Sequence, residues 1–210
     1  MTYNDNENII IGDPGQLSAI GFRQTPESLL DPDEYSSFVY NIETQFRKSR
    51  FYKDYKSFIM QQGICFDQQM GAITSDMTNI EMHHALPTLK HAVISVIESY
   101  LKTTGQVNTF MVLRDIEEAH RQNMMGVIML TTTNHQLIET DPVAFISIRQ
   151  LYGNPFAFLD KYGKFFTMDM AYKWLLQFKL EEQHGGITNW PNIARARQQL
   201  LDWSNMGYIQ

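Results

Sequence analysis

The sequence predicts a mainly helical domain of the α+β class, and three observations carry that reading. Apolar residues recur at spacings of three and four along most of the chain beyond Asp33, the period of a helix with one buried face. Capping residues precede these runs and glycines follow several of them. Apolar runs of strand length are confined to two places, about 78–83 and the stretch that opens at Gly126.

Residues 1–35 are dense in Asn, Asp, Gly, Pro and Ser and show no period, so they read as an extended acidic arm without a fold of its own. Residues 36–210 then make up a single mostly helical domain. From Asp33 to Gln62, Tyr35, Phe38, Ile42 and Phe46, then Tyr52, Tyr55, Phe58 and Ile59, mark one or two helices that stop at Gly63. Irregular structure leads from there into the first strand. Thr88 is the N-cap of a helix over 88–104, with Ala92, Val93, Val96, Ile97 and Leu101 on its apolar face and Gly105 at its end. A second helix over 108–122 turns Met111, Val112, Ile116 and Ala119 inward. Gly126 opens the second strand, Thr131–Thr133 supply a turn, and a short helix follows that sets His135 and Glu139 on one face. Further helices are expected at 155–162, at 167–183 and near 190–203, the last with Pro191 in its first turn.

The formal net charge of −6 is unevenly placed: residues 1–45 hold eight Asp and Glu against Arg23 alone, which leaves the body nearly neutral. Within that body Arg47, Lys48, Arg50 and Lys53 alternate with Phe46, Phe51, Tyr52 and Tyr55. Such a stripe can follow a phosphate backbone; equally, it can be a solvated helix face whose aromatics belong to the core. The one cysteine, Cys65, excludes an internal disulfide and a CxxC zinc site, so any metal would be held by His, Asp or Glu. No apolar run approaches the roughly 18 residues of a membrane span, and the first residues lack a signal-peptide pattern. The expectation is a cytoplasmic protein, neither secreted nor membrane-bound.

Two of the six histidines, His83 and His84, are neighbours at the end of the first strand, where alternation points their rings to opposite faces. Far downstream His135 and Glu139 stand one helical turn apart, a spacing that can grip a divalent ion. Either His83 or His84 could complete that set, and the other, as a neutral imidazole beside the ion, could take a proton from water. His120, at the end of its helix, reads either as a cation at a helix C-terminus or as support for this site.

The stretch Gly126–Glu139, GVIMLTTTNHQLIE, together with His83-His84 and the following Pro87, resembles the two halves of the HNH endonuclease motif of phage type, in the His-Me finger (ββα-metal) nuclease superfamily. The resemblance implies a small ββα-metal element over about 78–140, with the helices at 88–104 and 108–122 inserted in its loop as a hairpin. It implies that His84 is the general base and that His83, His135 and Glu139 hold one divalent ion, which stabilises the leaving oxygen of a cut phosphodiester. Glu139 stands where histidine is commonest, favouring Mg²⁺ or Mn²⁺ with Zn²⁺ possible. Gly126 stands where the motif has asparagine, so the brace for the histidine loop would come from Asn123 or Asn134. Thr131 and Asn134 replace the knuckle cysteines.

The resulting expectation is a metal-dependent DNA endonuclease or nickase, with Arg47, Lys48, Arg50 and Lys53 on the DNA backbone, working in the cytoplasm of an infected cell. The rival expectation is a catalytically degenerate phage structural or interaction protein. It would keep the finger as scaffold and use the acidic arm to bind a protein partner or a second copy of itself. A third, a metal-dependent phosphohydrolase of nucleotides, requires a deeper pocket.

Overall fold

A computed structural model describes residues 23–140, 145–184 and 191–209, and the structural statements below concern these residues. They contain eight α-helices and four short strands, so the mainly helical class expected from the sequence is observed. The stretch 23–31 of the expected arm enters the fold: β1 (Arg23–Gln24) pairs antiparallel with β3 (Val107–Asn108), and Leu29 is buried. Residues 1–22 lie outside the described residues.

One serine ends the first helix and starts the second. Asp31 caps α1 (Pro32–Lys48) by accepting from the N–H groups of Asp33 and Glu34, with Pro32 in the first turn. Ser49 interrupts the helix with an extended backbone, and its hydroxyl accepts from the Tyr52 N–H to begin α2 (Arg50–Gln61). The inward faces of both helices, Val39, Ile42, Phe46, Tyr55 and Ile59, are buried.

Helix α3 (Leu89–Thr104) runs through the middle of the core. Thr88 caps it by accepting from the His91 N–H, and Gly105 ends it at φ 70°, a backbone that favours glycine. Its Ala92, Val93, Val96 and Ile97 are wholly shielded, and each buried Val or Ile contributes roughly 1.5–3 kcal/mol. Packed around it are α1, α4 (Thr109–Arg121), α6 (Pro155–Tyr162) and the 3₁₀ turn Gly163–Phe165. Helices α7 (Met168–Gln183) and α8 (Pro191–Asn205) close the other side, with Trp174, Phe178, Ile193 and Leu200 in the core.

The second sheet is the pair β2 (Ile80–Leu86) and β4 (Gly126–Thr131), antiparallel, with Met82 opposite Met129, His83 opposite Ile128 and His84 opposite Val127. Burial alternates along β2, as a strand with one face inward requires. Strand β4 is buried on both faces: Val127 and Met129 join the helical core, whereas Ile128 and Leu130 are covered by Ile146 and its neighbours Ile138 and Leu151. The outward edge of β4 is occupied by groups that belong to no strand of the sheet. Val127 exchanges backbone hydrogen bonds with Tyr152, Met129 with the backbone N–H and side-chain amide oxygen of Gln68, and the Thr131 N–H donates to Asp67. Helix α5 (Thr132–Thr140) follows β4 directly. The observed feature is therefore a small antiparallel sheet followed by a helix; a metal-holding ββα finger is not shown. None of the described helices is long and apolar enough to cross a membrane.

Candidate functional site

The adjacent histidines are divided between the two faces of β2. His84 points into the helical core and is 3% exposed. Its Nε2 lies 2.8 Å from Nε2 of His120, on α4, and His120 Nδ1 lies 2.7 Å from the Ile116 carbonyl oxygen. A carbonyl only accepts, so His120 carries its proton on Nδ1 and offers a lone pair at Nε2. His84 must then donate from Nε2, which leaves its Nδ1 as a buried lone pair with no partner. Phe46, Phe51, Tyr52 and Tyr55 surround the pair, with the Phe46 ring centred 4.8 Å from that of His120.

Burial disfavours the charged form of both rings. It pulls His120 down to about 4 and His84 well below its usual value, the latter aided by His120 and Arg47. A neutral pair held in this way is packing with internal polarity. His84, expected to serve as a general base, has its ring in the core and its donor nitrogen committed to His120, away from solvent water. His120, expected as a helix-end cation or a support residue, is instead neutral and wholly buried.

The other face of β2 carries Glu81 and His83. His135, from α5, places Nδ1 2.6 Å from Glu81 Oε2, and Thr132 donates its hydroxyl to the other oxygen at 2.9 Å. The His135 hydrogen bond, with help from Thr132 and against some burial, holds the Glu81 carboxyl below its usual range. The His83 and His135 rings meet edge to face at 4.8 Å. Burial, then His135 and Arg47, pull His83 down to about 4.

Of the expected ligand set, the fold brings His83 and His135 together, and the side chain of Glu139 lies outside the described residues. The carboxylate that meets His135 is Glu81, two positions before His83 on the same strand face, and period-two alternation could have singled it out. Among the described residues no group of three or more His, Cys, Asp or Glu is arranged to hold a metal ion. A cavity of about 140 Å³ beside His83 is lined mainly by Ala85, Leu86, Ile138, Ile146 and Leu151. That is smaller than a nucleotide site of a few hundred Å³ requires.

A third polar centre was missed in the sequence. Asp67 is fully buried and accepts from the Thr131 N–H at 2.7 Å, the Asn134 side chain at 2.8 Å, and the N–H groups of Gln69 and Met70 at 2.9 Å each. Burial pushes its carboxyl up, but the donors outweigh it and the net shift is downward. Asn134, expected to brace a histidine loop, is thus tied to Asp67. Asn123 has a left-handed backbone, φ 52°, in the turn after α4, where its carbonyl accepts from the Asn154 N–H. Gly126 fills the asparagine position for a steric reason: a Cβ there would stand 2.6 Å from the Leu86 carbonyl oxygen and 2.8 Å from Leu151 Cδ1.

Arg47, Lys48, Arg50 and Lys53 are exposed around the α1–α2 elbow. Arg50 pairs with Asp54 at 3.4 Å, both largely in solvent, a contact worth little. The interleaved aromatics Phe46, Phe51, Tyr52 and Tyr55 point the other way and enclose the histidine pair, so they are not free to stack on bases.

The family model of the bacteriophage G278-like virion proteins matches residues 19–188. No curated protein and no solved structure matches the chain. The family match overturns the HNH endonuclease resemblance, and with it the expected nuclease and hydrolase activity; a DNA partner likewise has no support. The HNH likeness rested on two short blocks, whereas the match spans most of the folded chain. This protein belongs to the bacteriophage G278-like virion protein family.

Proposed function

We propose that this chain is a structural subunit of the phage particle, retained there by contacts with other virion proteins, and that its histidines serve the fold. The family match over residues 19–188 carries the reading. The placement of His84 supports it, since the ring best suited to act on water is sealed among aromatics and bonded to His120. In this reading β2, β4 and α5 are scaffold: Glu81, His135 and Thr132 tie the helix to the sheet on one face, and Asp67 and Asn134 tie it on the other.

The test is the protein content of purified particles. Quantitative mass spectrometry of gradient-purified phage should find the chain at a fixed ratio to the major structural proteins, and retained after nuclease and high-salt washing. Absence from particles, or loss in the first wash, would overturn the reading. A phage that carries His84→Leu and His120→Leu together should still assemble if the doubly substituted protein folds.

A further inference from the structure

The α1–α2 elbow is a basic surface that the fold neutralises only in part, through Asp54 beside Arg50 and Glu43 near Arg47. Ser49 bends the chain so that Arg47 and Lys48, at the end of α1, and Arg50 and Lys53, at the start of α2, gather on the outside. At the end of α1 such cations suit the helix dipole. At the start of α2 they oppose it, and the first turn of α2 contains no acidic residue. Lys48 and Lys53 make no ion pair among the described residues, and Asp54 is already paired with Arg50. Phe58, on the exposed side of the same helix, is 44% exposed.

The complementary chemistry is in the chain itself. Residues 1–22 contain Asp5, Glu7 and Asp13 but no Lys, Arg or His, and between the acids lies the apolar run Ile9–Ile11. This segment joins the fold at β1, just before α1, whereas the elbow is at the far end of α1. A 17-residue helix separates them, about 25 Å at 1.5 Å per residue. The point from which the acidic segment leaves and the basic elbow are therefore at opposite ends of one helix, the polarity of a head-to-tail contact between copies. Fully extended, such a segment reaches roughly 70 Å, enough to leave its own body.

We propose that residues 1–22 of one copy dock on the α1–α2 elbow of a neighbouring copy, with the acidic side chains against Arg47, Lys48 and Lys53 and the isoleucine run against Phe58. The inference rests on the virion-subunit reading and supplies it with a subunit contact. Nucleic acid is the poorer occupant, because the aromatics interleaved with the basic residues, Phe46, Phe51, Tyr52 and Tyr55, pack around the histidine pair and the chain as a whole is acidic.

The experiment uses three forms of the protein: the full chain, the chain without residues 1–22, and full-length Lys48→Glu/Lys53→Glu, whose substitutions are on solvent-facing positions and whose folding is verified by circular dichroism. Sedimentation velocity should show concentration-dependent association of the full chain, weakened by salt, and monomers for both variants. Mixing the variants should restore a one-to-one heterodimer, since one supplies the arm and the other the elbow. A fluorescent peptide of residues 1–22 should bind the truncated protein, and the double charge reversal in that background should weaken it about tenfold or more. The proposal is overturned if the full chain stays monomeric, if the mixed variants do not pair, or if the charge reversal leaves peptide affinity unchanged. It is equally overturned if duplex DNA binds the elbow and the peptide does not. Absence of the chain from purified particles would defeat the virion reading instead, a result separate from each of these.

Discussion

His84 and His120 meet Nε2 to Nε2 at 2.8 Å inside the hydrophobic core, joined across 36 positions of sequence from a strand and a helix. The contact has only one assignment of protons that works, and it leaves His84 Nδ1 unpartnered. Removal of one ring should therefore be worse than removal of both. His120→Leu strands the His84 donor and should cost about 1–3 kcal/mol. His84→Leu/His120→Leu should cost less than the two single changes added together. Urea unfolding of the four proteins of this cycle measures the coupling, and strict additivity would mean that the hydrogen bond contributes nothing.

Acid should unfold this protein through its histidines. Burial in the first place holds His120, His83 and His91 near 4, against 6.5 for an ordinary histidine, and it likewise pulls His84 well below its usual value. Below 6.5 the unfolded chain takes up protons that the folded chain refuses. Stability is therefore full above that pH and falls as the pH drops toward 4, where the folded-state rings begin to protonate. For His120 alone the loss at pH 5 is roughly 2 kcal/mol. Thermal unfolding between pH 7.5 and 5 should show a steep fall in Tm, and in His84→Leu/His120→Leu a shallower one. Parallel curves for the two proteins would refute the assignment.

Asp67 should be the most costly single carboxylate to lose of those on the sheet. Asp67→Ala removes the acceptor from the buried Thr131 N–H and from the Asn134 side chain at once, at about 2–4 kcal/mol. Hydrogen exchange at Thr131 and through α5 should accelerate more than exchange in α3. Uniform acceleration would show that the residue supports the fold globally and does not clamp this helix.

Gly126→Asn, which would restore the asparagine of the HNH motif, should destabilise. Its Cβ meets a backbone carbonyl, Leu86, and a packed methyl of Leu151 at well under contact distance. Overpacking of this kind costs roughly 1–3 kcal/mol. A variant as stable as the parent, by thermal unfolding, would mean that β2 and β4 can move apart freely.

What was legible in the sequence is what local rules decide. Thr88 and Gly105 bracket α3, and the inward Val112, Ile116 and Ala119 mark α4, all signals within a few turns of their own helix. The helices near 155–162 and 167–183 follow from periodicity in the same way. The site was read less well because its contacts are long-range. Nothing within a few residues of His120 says that it faces His84, or that Asp67, in a stretch without period, reaches Thr131 across 64 positions. The HNH likeness drew on residues that the fold places otherwise: His135 bonds Glu81 and His84 bonds His120, and the glycine in the asparagine position stands where a Cβ would meet Leu86 and Leu151.

The outer side of β4 is a strand partner assembled from pieces: Tyr152 answers Val127, Gln68 answers Met129 and Asp67 answers Thr131. An open edge of apolar β-strand is a template on which any other extended segment can grow. For a subunit held in a particle by its neighbours, as proposed above, such an edge would invite misassembly through whichever backbone arrived first. By filling it with the Asp67 side chain, the backbone and side chain of Gln68 and the Tyr152 bridge, the fold closes this edge internally, and in that reading recognition is left to surfaces that can discriminate by shape and charge.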